Sequence, residues 1–182
     1  MRKVNIIPMA GEGIRFANQG YKIPKPLIPI DGIPMVVRAA KCLPDADLWI
    51  FICRESHVIG SKIKEILNKF FVSPIIITVD FLTQGQASTC LLAKKYLKPD
   101  DLLTIGSCDC RMDYNRIDYY KKFINSDALV WTFRNNESVL KNPEMYGWIK
   151  LNKYGKVSNI SCKTPISNSP VKDHAITGSF SF

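Results

Sequence analysis

Hydrophobic residues along this chain come in two kinds of block, and the blocks alternate. Short, mostly apolar runs read as buried strands: one over 3–8 around Val4-Asn5-Ile6-Ile7, Leu48-Trp49-Ile50-Phe51-Ile52-Cys53, Ile75-Ile76-Ile77-Thr78-Val79 and Leu102-Leu103-Thr104-Ile105. Between them the apolar positions recur at helical spacing. Ile59, Ile63, Ile66, Leu67 and Phe70 do so within 57–70. The stretch 33–43 reads as a helix with Pro34 near its first turn, 87–97 as a helix stopped by Pro99, and 114–124 as a polar-faced helix. A further strand is expected over 128–133. From Tyr146 onward the pattern changes to short strands with a turn at 152–155 and no clear helix.

Strand and helix in alternation predict a doubly wound α/β layer. Ligands in such sheets lie beyond the carboxyl ends of the strands. Three stretches fall there, around 8–27, 83–88 and 106–110, and they carry the polar chemistry of the chain.

The first strand breaks at Pro8 into a turn holding Gly11 and Gly13, with Arg15 just after and Lys25-Pro26-Leu27 ten residues on. Glycine lets backbone N–H groups approach an anion with no Cβ in the way. Successive amides in such a turn form a nest of positive partial charge. Arg15 adds a planar fork and Lys25 a compact point charge, two geometries that suit a triphosphate. Taken alone the glycines are equally well a plain turn beside incidental cations; the strand, the Arg and the Lys-Pro-Leu together favour phosphate. Two other phosphate loops do not fit. A dinucleotide fingerprint needs a glycine where Phe16 stands. A Walker loop needs Gly-Lys followed by Ser or Thr, a triplet the chain lacks.

Thr83-Gln84-Gly85-Gln86-Ala87-Ser88 follows the third strand. Gln84 offers an amide for a base edge, and Gly85 lets a base or ribose lie close to the backbone; a simple helix start is the plainer reading. Gly106-Ser107-Cys108-Asp109-Cys110 follows the fourth strand. A carboxylate beside phosphate loops is a natural Mg²⁺ ligand, since Mg²⁺ prefers one or two carboxylates plus substrate phosphates. A hydrogen-bonded structural role is the alternative for Asp109. Zinc is disfavoured, because Cys108 and Cys110 have no partner pair at ligand spacing. His57 and His174 lack a neighbouring nucleophile pattern and read as structural or surface residues. Trp49 and Trp131 lie within strands and are expected in the core.

Composition narrows the class. The 182 residues are 46% apolar and 23% charged, ordinary for one globular domain. No apolar run approaches the roughly 18 residues of a membrane span. The start Met1-Arg2-Lys3 leads straight into a strand and points away from secretion. The six cysteines form no CxxC pair and suit a reducing, cytoplasmic location. The net charge of +9 fits phosphorylated small molecules. No Lys/Arg cluster is interleaved with aromatics, so no nucleic-acid partner is expected, and no membrane partner either.

Ala10-Gly11-Glu12-Gly13-Ile14-Arg15-Phe16, followed by Pro24-Lys25-Pro26-Leu27, resembles the signature of nucleotidyltransferases of the sugar-1-phosphate type, the nucleotide-sugar pyrophosphorylases. Small-molecule cytidylyltransferases share it. Ala10 stands where that family usually has the first glycine. The resemblance implies an α/β, Rossmann-like three-layer sandwich with a mostly parallel mixed sheet (a nucleotidyltransferase, GT-A-like fold). It implies a single nucleotidyltransferase domain over 1–182, with a nucleotide-binding core at 1–134 and an incomplete acceptor-binding part at 135–182, apparently truncated at the C-terminus. A second metal-binding Asp of the family would lie in the missing part.

The activity implied is Mg²⁺-dependent transfer of NMP from an NTP to a small phosphorylated acceptor with release of pyrophosphate. By resemblance Ala10, Gly11, Glu12, Gly13, Gln84 and Gly85 bind the nucleotide, Arg15 and Lys25 are catalytic, and Asp109 holds the metal. Tyr146, Gly147, Lys163 and Gly178 match acceptor-binding positions. Cys162 replaces the family's Glu before the lysine, which leaves the acceptor open: a sugar-1-phosphate, or phosphocholine or phosphoglutamine. A role in bacterial capsule or lipopolysaccharide biosynthesis is implied. A homo-oligomer is compatible with the sequence. A nucleotide-sugar-dependent glycosyltransferase or a non-catalytic nucleotide sensor are the rival readings; the single carboxylate of Cys108-Asp109-Cys110 and the presence of Lys25 speak against the former.

Overall fold

A computed structural model describes all residues, 1–182. The chain divides into two compact units, 1–129 with 180–182 and 130–179.

The first unit is built on parallel strands. In chain order it contains β1 (Lys3–Met9), α1 (Ile14–Asn18), a 3-10 turn at Lys25–Leu27, the small hairpin β2 (Pro29–Ile30) and β3 (Ile33–Pro34), and α2 (Met35–Cys42). Then come β4 (Leu48–Arg54), α3 (Glu55–Ile59), α4 (Ile63–Phe70), β5 (Ile75–Val79), α5 (Gln86–Leu91), β6 (Leu102–Ile105) and α6 (Arg116–Phe123). Strands β5, β4, β1 and β6 lie side by side in that order, all parallel. Phe180 and Ser181 add an antiparallel stretch against Ile105 and Thr104. The sheet is therefore mixed but mostly parallel.

Period-two alternation sends neighbouring residues to opposite faces. Ile7, Met9, Phe51 and Cys53 pack with Val36, Val37, Ala40, Ile63 and Leu67 of α2 and α4. Val4, Ile6, Ile50 and Ile52 pack on the other face with Val79 and Cys90. Helices thus cover both faces, as the three-layer expectation requires. An eight-residue helix such as α4 is too short to stand alone in water. It forms because Ile63 and Leu67 are fully buried, each stabilising by roughly 1.5–3 kcal/mol.

Several element boundaries differ from the sequence expectation. The expected helix over 57–70 is two helices. Gly60 donates its N–H to the Ser56 carbonyl at 3.2 Å, and the Ser61 hydroxyl donates to the His57 carbonyl, so the chain turns between them. The expected helix from 33 starts at Met35, because Ile33 and Pro34 pair with Ile30 and Pro29. The helix from 87 begins at Gln86 and ends at Leu91, followed by a 3-10 turn at Lys94–Tyr96. Helix α6 starts at Arg116, where the Asn115 side chain accepts the N–H groups of Ile117 and Asp118. His57 is buried. Trp49 is partly buried and packs on the first core at 4.8 Å from Phe71, centroid to centroid. No helix is long and apolar enough to cross a membrane.

The second unit is antiparallel. It contains most of β7 (Leu129–Phe133), then β8 (Gly147–Leu151), β9 (Val157–Cys162) and most of β10 (His174–Ser181). Strand β8 pairs with β9 and β10, and β7 with β10. Its small core is Val139, Trp148 and Ala175, with Phe133 and Tyr146 packed against it. Gly155 closes the turn after Asn152, whose carbonyl accepts the Gly155 N–H at 3.0 Å.

Candidate functional site

Because β5, β4, β1 and β6 run parallel, their carboxyl ends share one edge of the first unit. Four loops leave that edge: Ala10–Gly13 after β1, Arg54 and α3 after β4, the 80–85 loop after β5, and 106–109 after β6.

The glycine turn opens into α1. Gly13 is left-handed at φ +65°, and a Cβ there would crowd the Lys25 Cβ at 3.3 Å. Gly13 is therefore required both by its backbone and by the closeness of the lysine. Its carbonyl accepts the N–H groups of Phe16 and Ala17, at 2.9 and 3.2 Å, and so starts the helix. No residue of α1 is buried. This helix has no signal in the sequence because five residues are too few to show a helical period. Arg15 sits on it, exposed to solvent.

Lys25 begins the 3-10 turn and reaches across the edge. Its ammonium lies 5.3 Å from the centre of the Phe16 ring and pairs with the Asp109 carboxylate. The Lys25 side chain is mostly buried, whereas that of Asp109 stays one-third exposed. Asp109 also accepts the Ser107 hydroxyl. Burial pushes the Asp109 carboxyl upward, but the charge and hydrogen bond of Lys25, with the bond from Ser107, outweigh it and hold the group below its ordinary range. Asp109 is thus an anion at neutral pH. Burial, then the Asp109 charge, pushes the Cys108 thiol up to about 12. A thiol held protonated is a poor metal ligand, and no group of three His, Cys, Asp or Glu side chains is assembled anywhere in the chain.

Gln84 and Gly85 stand at the end of β5, two strands from β1. Gly85 adopts φ +148°, ψ −174°, a region essentially reserved for glycine. Its carbonyl accepts the Thr89 N–H and the Thr89 hydroxyl, and Thr89 meets the Thr83 hydroxyl at 2.6 Å. The turn is held rigidly while Gln84 remains exposed. A Cβ on Gly11 or Gly85 would touch nothing within 4 Å, so both backbones face open space. Ala10 packs with Cys90 of α5 in the same core, which ties the two loops to one layer.

One site residue was not visible in the sequence. Arg54 ends β4, and its guanidinium lies 3.5 Å from the carboxylate of Glu12, inside the glycine turn. The available signal was a charged residue closing the apolar run 48–53 at a strand's carboxyl end.

In the second unit, β8–β9 pairing sets Gly147 opposite Cys162, and the Lys163 N–H donates to the Tyr146 carbonyl at 3.0 Å. Tyr146, Gly147 and Lys163 are thus brought together. Lys163 is left-handed at φ +63°, which directs it out of the strand at some cost in backbone energy. Gly178 is on β10 two residues after Ile176, whose side chain lies against Gly147.

No family model matches the chain. It is similar to the Bifunctional protein GlmU of Methanococcus vannielii, at 27% identity over 159 residues, which are 85% of this chain and 34% of that protein. GlmU of Methanococcus maripaludis is 28% identical over the same extent. The chain spans about a third of the length of these curated relatives. Among solved structures it resembles the nucleoside-diphosphate-sugar pyrophosphorylase from Vibrio cholerae (TM-score 0.74, 22% identity, 98% of this chain and 72% of that one). It also resembles the inositol-1-phosphate CTP transferase from T. maritima (TM-score 0.74, 17% identity, 100% of this chain and 70% of that one). At such identities the solved structures speak for the fold.

Proposed function

We propose, taking the chain as one that shares the sequence pattern and fold of the sugar-1-phosphate nucleotidyltransferases, that it transfers a nucleoside monophosphate from an NTP to a small phosphorylated acceptor. A sugar-1-phosphate is the acceptor the likeness favours. The observation that carries the reading is the meeting of Lys25 and Asp109. Separated by 84 residues, they join at the carboxyl edge with Gly13 packed against the lysine.

An oxygen of the acceptor's phosphate attacks the α-phosphorus, a new P–O bond forms, and the bond from the α-phosphorus to the bridging oxygen breaks. Pyrophosphate leaves with that electron pair. The acceptor is already ionised at neutral pH, so no general base is needed. Catalysis is then positioning and charge neutralisation. The amides of Gly11 and Gly13 with Arg15 hold the departing phosphates. Lys25 neutralises charge growing on the α-phosphate. Gln84 and Gly85 receive the base, and Tyr146, Gly147, Lys163 and Gly178 the acceptor. One accessible carboxylate beside a phosphate loop fits Mg²⁺, which fills its remaining positions with phosphate oxygens and water. Asp109 would hold the ion, which supplies charge neutralisation on the phosphates when bound.

The test is pyrophosphate release from each NTP with sugar-1-phosphates, phosphocholine and phosphorylated amino acids. Release that depends on one NTP and one acceptor supports the reading. Silence across the whole panel in the full-length protein contradicts it.

A further inference from the structure

Arg54 and Glu12 belong to no motif of the phosphate loop as a pair, yet they join two elements of the carboxyl edge. Arg54 closes β4, whose Cys53 is registered with Met9, the last residue of β1. Its side chain is four-fifths buried. The Nη1 atom is buried without a hydrogen-bond partner, and Nη2 lies 3.5 Å from Glu12 Oε1. His57 on the following helix is held neutral, its pKa lowered first by burial and then by the charge of Arg54. Glu12 is the carboxylate within ion-pair distance of this guanidinium.

Two physical problems meet at Glu12. A carboxylate between Gly11 and Gly13 would repel a phosphate chain seated on their amides. The short helix that follows the turn, moreover, buries none of its side chains. One ion pair from the rigid sheet answers both. It cancels the Glu12 charge, and it ties the turn to β4.

We propose that Arg54 is a positioning residue, which holds the glycine turn in its phosphate-binding shape through Glu12. With Glu12 partly exposed, the pair adds little to global stability, as such pairs generally do. Its effect is local to residues 10–18. The nucleotide part of this inference rests on the function proposed above; the tether itself does not.

Two measurements on the full chain test it. Amide hydrogen exchange in the absence of nucleotide is compared for the wild type, Arg54→Met and Arg54→Lys. The expected result is faster exchange over 10–18 in Arg54→Met, unchanged exchange in β1 and β4, and recovery in Arg54→Lys. Equal exchange over 10–18 in all three overturns the tether, whatever the protein binds. The second measurement is the Kd for Mg²⁺–NTP, with Glu12→Gln and the double variant completing a cycle. Arg54→Met should weaken binding about tenfold, and the double variant should be no weaker than the worse single one, because the two act as one unit. A Kd within twofold of wild type, or losses that simply add, overturns the positioning role. If the wild type binds no NTP while exchange over 10–18 still responds to Arg54→Met, the proposed function falls and the tether stands.

Discussion

The two ends of the parallel sheet in the first unit use the same residue types for different purposes. At the amino edge Arg2, Asp47 and Asp101 are all bound by the chain itself. Arg2 donates to both Asp101 oxygens, at 2.9 and 2.5 Å, and to the Tyr96 carbonyl at 2.8 Å. Asp101 also accepts the Lys98 N–H, Asp47 the Lys3 N–H, and the Pro44 carbonyl the buried Asn5 amide. At the carboxyl edge the charges meet in side-chain pairs instead. Lys25 meets Asp109 beside solvent, and Arg54 reaches Glu12 at 3.5 Å. Backbone glycines sit among the second set and not the first. Many short bonds to main chain mark charges that close the structure; a few side-chain pairs over open glycine backbone mark the edge to which the proposed function assigns the substrate.

The largest effect expected from this contrast is at Lys25. Lys25→Ala should cut pyrophosphate release by about 10²–10³, the usual cost of removing one preorganised charge from a transition state. Its Tm should move by no more than about 4 °C, since one partner of the pair is solvent-exposed. A rate within a few-fold of wild type would erase the distinction between the edges.

Gly106 comes next. It links β6 to the Asp109 loop, and a Cβ there would collide with Leu43 and lie 3.1 Å from Ile7. Gly106→Ala should cost about 1–3 kcal/mol by overpacking, read from denaturant unfolding. An unchanged midpoint would mean the loop is not held against the core as described.

The smallest effect is at the amino edge, and pH sharpens it. Asp101 is held below its ordinary pKa of 3.8 chiefly by the hydrogen bond from Arg2. A depressed carboxyl stabilises the fold above its unfolded pKa and loses that contribution as pH falls through the folded one. Asp101→Asn should therefore lower Tm by a few degrees at pH 7, leave turnover unchanged, and show a shrinking difference from wild type as pH drops below 3.8. A Tm gap that stayed constant into acid would remove the ion pair from the account.

Much of this was legible in the chain, for reasons that differ by element. The strands Ile75–Val79 and Leu102–Ile105 are legible to the residue because their apolar runs are interrupted only by a β-branched threonine. The hairpin at Pro29–Pro34 was hidden, because Ile33 and Pro34 fit a helix start as well as a strand. Gly60 splits what periodicity reads as one helix, since Ile59, Ile63 and Ile66 keep helical spacing across the break. Within the site, the glycine turn and Lys25 carried their own chemistry. That Lys25 and Asp109 share one edge follows from the strand ends their loops leave, while their ion pair has no signal in the chain. Arg54 was missed because a single arginine at a strand end matches no pattern until the fold sets it against Glu12.

If the carboxyl edge grips a nucleoside triphosphate, as proposed, that ligand must stabilise the fold. Thermal unfolding with Mg²⁺ and each of the four NTPs, in the wild type and Lys25→Ala, tests it most directly. At about 100 times Kd, one triphosphate should raise the wild-type Tm by roughly 5–10 °C and the variant's by much less. No shift with any NTP, or the same shift in both proteins, would contradict it.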